Sequence, residues 1–425
     1  MSRSASTEST KSAPLVATLT LGCKLNQAET QQAARELQRR GCVTVDRPTP
    51  ADAYLINTCT ITHVADRKAR RLIRMARRLS PDAPVIVTGC YAERARAELS
   101  EQPGIQVVAN VRKAEAAEAV FATLADVGPT SAIRTASVGR TRAFIKIQEG
   151  CDDVCAFCIV PRVRGRERAI PIDELVAEVQ ERVEEGFQEI VLTGTQPGAY
   201  GRDRSDGTTA ARLIDALLSR TDAARIRYSS IQPQDITPEL LSCWDDARMC
   251  RHVHLALQSG SDAVLSRMRR RYSADQFIEA VTAFRLAAPG VSVTTDIIAG
   301  FPGETDDDHA ATLALMREVR FTDVHVFPYS SRSGTSAALL SDDVPPEVKR
   351  TRAAELRALG ECHRGGALES EVGSLQSVLF ETPGTGLTDT YLPCRVETDD
   401  DLSNQLRSVR VAAVDESGLV GELVR

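Results

Sequence analysis

The sequence predicts a three-domain α/β protein: a doubly wound amino-terminal domain, a partial (β/α) barrel, and a small all-β barrel at the carboxyl end. Three observations predict it. Apolar strands alternate with amphipathic helices from Leu15 to about residue 330, which is how a parallel sheet with covering helices reads in sequence. The alternation is broken once, by the small, polar, turn-rich text ADVGPTSAIRTASVGRT at 125–141, which has the character of an inter-domain linker. After the helical KRTRAAELRALGECHRG the period changes, and short apolar segments (SLQSVLF, YLPCRV, VRVAAV, LVGELV) alternate with Gly, Pro, Asp and Ser as in a small antiparallel barrel. The expected domains are 14–125, 137–367 and 369–425, in keeping with a 425-residue chain too long for one hydrophobic core.

In the first domain the strands LVATLTLG, AYLINTC, PVIVTGC and IQVVA alternate with the helices NQAETQQAARELQRRG, VADRKARRLIRMARRL and YAERARAEL. Cys23, Cys59 and Cys90 each follow a strand, two of them in GC pairs. Ligands of open parallel sheets bind outside the carboxyl ends of the strands, so three thiols delivered there from separate loops can converge on one site. The competing reading, three small buried hydrophobes, fits a lone cysteine better than three in the same position. Cys42, Cys243, Cys250, Cys362 and Cys394 share no such context and read as packing residues. The second helix carries Arg67, Lys68, Arg70, Arg71, Arg74, Arg77 and Arg78 against one acid, Asp66. Such a run either grips a phosphate backbone or lies along the surface as solvated arginines.

The second domain opens with FIKIQ from Arg142 and continues through EIVLTG, RIRYSS, HVHLAL, VSVTTDIIAG and DVHVFPYS, six strands with intervening helices. The active site of such a barrel lies at the carboxyl ends of its strands. Behind FIKIQ comes CDDVCAFC, with Cys151, Cys155 and Cys158 at C-x3-C-x2-C spacing. A four-iron cluster normally takes four thiolates, so a trio leaves one iron open to an exogenous ligand. Zinc would require a fourth ligand, and the nearest histidines are His63 and His252. Gly300 and Gly303 in TDIIAGFPGE, and the turns LTG at 192–194 and QSGS at 258–261, read either as plain turn chemistry or as close backbone approach to a flat ligand. Arg162, Arg164, Arg166 and Arg168 crowd the cysteine loop and suit a phosphate or carboxylate; Arg267, Arg269, Arg270 and Arg271 read as a solvated helix end.

Composition sets the bounds. No apolar run approaches a membrane span, and the leader MSRSASTESTKSAP lacks a signal peptide's apolar middle, so a cytoplasmic protein is expected. Eleven cysteines without secretory features point to reduced thiols and metal ligation rather than disulfides. A net charge of −6 does not describe a general nucleic-acid binder, so any RNA contact must be local. From Glu369 onward eleven acids face four arginines, a balance of −7, and the last domain is awkward for phosphate.

The C-x3-C-x2-C loop after a barrel's first strand, with Phe157 before its last cysteine, resembles the radical S-adenosylmethionine (SAM) superfamily. The motifs LGCKLNQAE, NTCTITHVADRKAR, TGCYAE, GCDDVCAFCIVPRVRGRERA, LTGTQPGAYG, LALQSGSDAVLSRMRRRY, TDIIAGFPGET and HVFPYSSRSGTSA narrow it to the methylthiotransferases. The resemblance implies a radical SAM barrel and a tail similar to a TRAM domain. It implies two 4Fe-4S clusters, one on Cys151, Cys155 and Cys158 and one on Cys23, Cys59 and Cys90, with SAM chelating the open iron of the first. Phe157, Thr193, Gly194, Gln258 and Gly300 are its expected SAM-binding positions, and the cluster cysteines its catalytic residues. LGCKLN, NTCTIT, LTGTQPGAYG and FPYSSRSGT are most similar to the tRNA enzymes that methylthiolate N6-threonylcarbamoyladenosine at position 37, which makes the anticodon loop the partner of a monomeric enzyme. Relatives acting on isopentenyladenosine or a ribosomal-protein side chain are the alternative, and an iron-sulfur RNA sensor without catalysis is a rival of another class. One departure is Gln232 in SSIQP, where such relatives carry glutamate; it removes a charged partner for the ligand.

Overall fold

A computed structural model describes residues 13–124 and 141–424; the leader and nearly all of the linker reading lie outside the described residues. The chain forms two compact units, Met1–Val138 and Gly139–Arg425.

In the first unit the order is β1 (Leu15–Thr20), α1 (Lys24–Arg39), β2 (Val43–Val45), β3 (Ala53–Thr58), α2 (His63–Leu79), β4 (Val85–Gly89), α3 (Cys90–Arg94), α4 (Arg96–Ser100), β5 (Ile105–Val107) and α5 (Ala116–Thr123). The five strands pair in parallel in the order β2-β1-β3-β4-β5. Alternation along the strands explains why both faces are covered. Val16, Leu55 and Ile86 pack against Leu37 of α1 and Val120 of α5, while Ala17, Leu19, Tyr54, Ile56 and Val87 pack against Ile73 of α2 and Leu99 of α4. The strand order reverses between β1 and β3, the position where doubly wound sheets bind ligands. β2 was not among the expected strands; at three residues it is too short for a period to register.

The second unit begins β6 (Arg142–Glu149), α6 (Val160–Arg164), β7 (Arg168–Ala169), α7 (Ile172–Glu184), β8 (Glu189–Gly194), α8 (Ala210–Arg220), β9 (Arg225–Tyr228), β10 (Ser230–Ile231) and α9 (Pro238–Leu241). It continues β11 (His252–Leu255), α10 (Asp262–Arg267), α11 (Ala274–Ala287), β12 (Ser292–Ala299), α12 (Asp306–Val319), β13 (Asp323–Pro328) and α13 (Pro346–Glu369). The expected strand RIRYSS is split into β9 and β10, so the partial barrel consists of two four-stranded sheets, β7-β6-β8-β9 and β10-β11-β12-β13. All strand pairs are parallel except β6 with β7. Ile145, Leu192, Ile226, Val253 and Val293 meet Leu175 of α7, Leu213 of α8 and Phe277 of α11 in one core, which leaves the opposite face of each strand for the barrel lumen.

The tail forms a closed barrel in the order β14 (Leu375–Phe380), β15 (Thr385–Thr388), β16 (Pro393–Val396), β18 (Gly418–Leu423) and β17 (Gln405–Asp415). It belongs to the second compact unit because buried charge ties it to the amino ends of the barrel strands. Glu189, fully buried at the start of β8, accepts from Arg225 Nε at 2.6 Å and Arg227 Nε at 2.8 Å. The same guanidiniums donate onward to carbonyls of Ser377, Leu387, Thr388 and Asp389 in the tail. Burial alone would raise the Glu189 carboxyl, but the Arg227 and Arg225 charges outweigh it and hold it down to about 2. Some of the tail's acidity is thereby spent internally: Glu381 pairs with Arg142 at 2.8 Å and Asp389 with Arg251 at 2.7 Å.

Candidate active site: two trios of thiols

The loop trio hangs from the carboxyl end of β6. Gly150 turns the chain at φ 77°, and a Cβ there would lie 1.8 Å from the Arg166 carbonyl oxygen, so glycine is required for the loop to tuck under residues 165–166. Cys151 N then donates to Gly165 O at 3.1 Å, Cys158 N to Cys155 O at 3.1 Å, and Ala156 N to Met268 O at 2.9 Å. Cys151 is buried, and Cys155 and Cys158 are half-buried. Burial first, then the neighbouring Asp153, Cys158 and Cys155, push the Cys151 thiol up to about 12. A thiol whose ionisation its neighbours oppose fits a metal ligand set, because a bound cation reverses that penalty.

Two arginines expected to be a solvated helix end instead hold this loop. Arg270 Nη1 donates to Cys155 Sγ at 3.2 Å, its Nε to Tyr272 OH at 3.0 Å, and the guanidinium lies 4.8 Å from that ring centre. Arg271 pairs with Asp153 at 3.3 Å, and Arg267 donates to Gly303 O at 2.9 Å and pairs with Asp308. Arg269 alone keeps the expected character of a helix end, in the left-handed region at φ 57°. Three of the four cations of the loop itself are also engaged: Arg164 with Glu149 at 3.2 Å, Arg168 with Glu149 at 3.7 Å, and Arg166 with Asp152 at 3.2 Å. They brace the loop rather than wait for a substrate anion. Gln232 has a use that a carboxylate there would forfeit, since its Nε2 donates to buried Asp153 at 3.0 Å.

The expected cofactor positions sit at the carboxyl ends of neighbouring strands. Thr193 and Gly194 end β8, opposite Lys146 and Gln148 of β6; a Cβ on Gly194 would meet the Gln148 carbonyl at 2.9 Å. Gln258 adopts φ 68°, unusual for a non-glycine residue, and its backbone bonds to Asp296 O and Ile298 N at 2.9 Å each. Phe157 packs edge-on against Phe301, with ring centres 6.5 Å apart, in an apolar cluster with Met268 and Tyr329. Gly300 corrects its reading. The face freed by its missing side chain meets Lys349 of α13, 2.3 Å from a built Cβ, so it admits packing rather than a flat ligand.

In the first unit Cys23 caps α1 after β1, Cys59 follows β3, and Cys90 opens α3 after β4, so the three thiols leave three adjacent strands at the switch point. The GC pairs have a steric cause. Gly22 at φ 114° would place a Cβ 2.8 Å from Cys59 Cβ, and Gly89 at φ 96° would place one 2.3 Å from Thr58 O. Glycine thus lets the first and third loops close onto the middle one. Asn26 and Thr58 fasten them: Asn26 Nδ2 donates to Leu21 O at 2.7 Å and Thr58 O at 3.1 Å, and Thr58 Oγ1 donates to Thr88 O at 2.6 Å while accepting from Ala92 N at 3.1 Å. Among the other cysteines, Cys42, Cys250 and Cys394 are buried as expected, whereas Cys362 is exposed on α13 and is not a packing residue.

On α2, Arg67, Lys68, Arg71, Arg74 and Arg78 are exposed. Arg71, Arg74, Arg77, Arg78 and Pro81 line a cleft of about 680 Å³, and none of these arginines pairs with an acid among the described residues. The single acid, Asp66, is buried and held by Thr60 at 2.6 Å and Arg94 at 2.8 Å. No helix among the described residues is long and apolar enough to cross a membrane.

A thiol loop after the first strand of a partial parallel barrel defines a radical SAM enzyme, and the family model described as Radical SAM superfamily matches residues 145–316. A second model, described as Uncharacterized protein family UPF0004, matches residues 15–110, the sheet that carries the scattered thiols. The chain is 36% identical over 96% of its length, and 96% of the relative's, to the threonylcarbamoyladenosine tRNA methylthiotransferase MtaB of Bacillus subtilis. It is likewise 36% identical, over 95% of both chains, to the tRNA-2-methylthio-N(6)-dimethylallyladenosine synthase of Chlorobium luteolum. The solved radical S-adenosylmethionine methyltransferase TsrM of Kitasatospora setae shares the fold, with TM-score 0.55 at 16% identity over 74% of this chain and 73% of that one. This chain belongs to the radical SAM methylthiotransferase family.

Proposed function

We propose that the protein transfers a methylthio group to C2 of N6-threonylcarbamoyladenosine at position 37 of tRNA, acting as a monomer on the anticodon loop in the cytoplasm. The observation that carries this is the full-length relation to the threonylcarbamoyladenosine enzymes, spanning both thiol-bearing units rather than the barrel alone. The cofactors are two 4Fe-4S clusters and SAM. In this reading Cys151, Cys155 and Cys158 hold the cluster that SAM binds, and Cys23, Cys59 and Cys90 hold the second. When bound, the first supplies the electron that cleaves SAM and the second the sulfur chemistry.

The chain's own residues do the remaining work. Arg270 donates to Cys155 and holds that thiol in place in the loop. Thr193, Gly194 and Gln258 present strand-end backbone toward the SAM site, and Phe157 shields its edge. The unpaired arginines of α2 suit tRNA phosphates and supply the local attraction that a net charge of −6 withholds. In this reading the domains span 14–125, 137–367 and 369–425.

The same percentage identity to a dimethylallyladenosine enzyme supplies a second, less favoured reading. Nucleoside analysis of tRNA from a deletion strain decides between them. Loss of 2-methylthio-threonylcarbamoyladenosine is expected; its persistence, with loss of the dimethylallyl product instead, would move the assignment to the second substrate.

A further inference from the structure

The barrel lumen carries a set of donor atoms that neither thiol trio uses. Val253, Leu255, Val293, Ile297 and Val326 point into the helix-packed core, so the residues that alternate with them, His254 on β11, Asp296 on β12 and His325 on β13, point into the lumen. Register brings them together. His325 stands directly opposite Asp296, and His254 stands opposite Thr294, one diagonal step from Asp296. His254 Nε2 and His325 Nδ1 lie 3.3 and 3.4 Å from the same oxygen, Asp296 Oδ1, and the three donor atoms all lie within 4.8 Å of one another.

Those separations decide between two explanations. A protonated imidazole bonded to a carboxylate closes to about 2.7–2.9 Å, shorter than either contact here. Ligand atoms around a tetrahedral divalent ion with bonds of about 2.0–2.1 Å stand about 3.3–3.4 Å apart, which matches both. No lysine or arginine among the described residues pairs with Asp296; its two ionic partners are imidazoles, the commonest metal ligands in proteins. His254 is 12% exposed, Asp296 34% and His325 57%, so an ion has a route in. The strand segment is held firmly, because Gln258 clasps Asp296 O and Ile298 N with its backbone.

We propose that His254, Asp296 and His325 bind one divalent transition-metal ion, independent of the iron on the cysteines. Two nitrogens and one carboxylate oxygen select borderline ions such as Zn²⁺ or Fe²⁺ over Mg²⁺ or Ca²⁺, which prefer all-oxygen shells. The site's existence does not depend on which nucleoside the enzyme modifies.

The test uses the holoenzyme with its clusters in place, so that the six thiols of the two trios are occupied. It is incubated with Zn²⁺, desalted, and assayed for zinc and iron by mass spectrometry beside Asp296→Asn and His325→Ala. One zinc per chain in the wild type and at least a tenfold loss in both variants, at unchanged iron, is the expected result. Unchanged iron reports that the fold and clusters survive; should Asp296→Asn lose iron, the half-exposed His325→Ala decides. Zinc retained equally by wild type and His325→Ala, or no zinc retained by the wild type, overturns the proposal.

Discussion

The two thiol trios solve one problem in different ways. The loop trio spans residues 151–158 and is positioned by charge: Arg270 on Cys155, Arg271 on Asp153, and Glu149 gathering Arg164 and Arg168. The scattered trio spans residues 23–90 and is positioned by backbone. Three parallel strands end side by side, Gly22 and Gly89 remove the side chains that would hold their loops apart, and Asn26 and Thr58 stitch them together. A contiguous loop has too few residues to fix its own shape and borrows rigidity from ion pairs around it. A sheet edge is already rigid, so it needs only permission for close approach.

Breaking either trio should separate them most clearly. On the 4Fe-4S assignment the chain carries about eight irons, and Cys59→Ala should lose about half of them while still forming 5'-deoxyadenosine from SAM. Cys155→Ala should lose a similar share of iron and all 5'-deoxyadenosine. Iron assay and chromatography of the SAM products check both; a Cys59→Ala protein with full iron would make Cys59 a packing residue.

The next largest effect lies where the tail meets the barrel. Glu189→Gln leaves the buried Arg225 and Arg227 without their anion and should cost about 3–5 kcal/mol, seen as a lower denaturant midpoint. The same pair sets an acid limit. Because the Glu189 carboxyl is held down to about 2 from an ordinary 4.5, its contribution is complete above pH 4.5 and is lost as pH falls toward 2. Wild type should therefore lose stability across that window more steeply than Glu189→Gln, as followed by circular dichroism.

Smaller still, Gly89→Ala tests the backbone half of the comparison. The Cβ contact at 2.3 Å from Thr58 O and the positive φ should together cost about 1–3 kcal/mol and lower the iron held by the first unit. The smallest change is expected on α2. Arg74→Ala should reduce the slope of log affinity for tRNA against log salt by about 1, with SAM cleavage intact; an unchanged slope would return the arginine face to plain solvation.

Much of this was legible in advance, and for a reason each time. Cys151, Cys155 and Cys158 announce themselves by spacing, and Cys23, Cys59 and Cys90 by standing after strands whose alternation is plain. Arg267, Arg270 and Arg271 were misread because a basic run at a helix end looks solvated unless its partners, 118 residues away for Arg271 and Asp153, are in view. The sequence leaves the role of the α2 arginines open, because exposure depends on which helix face the sheet covers.

The sequence by itself determined the layering, the barrel strands apart from β7 and the break between β9 and β10, the all-β tail and the positions of both sets of cysteines, since these follow from periods, turn residues and local spacing. Only the tertiary structure decided which charges are spent on the fold, that Gly300 faces Lys349, and that His254, Asp296 and His325 share one corner of the lumen. Each of those depends on strand register and long-range packing, and three residues on three strands have no common period for a sequence to display.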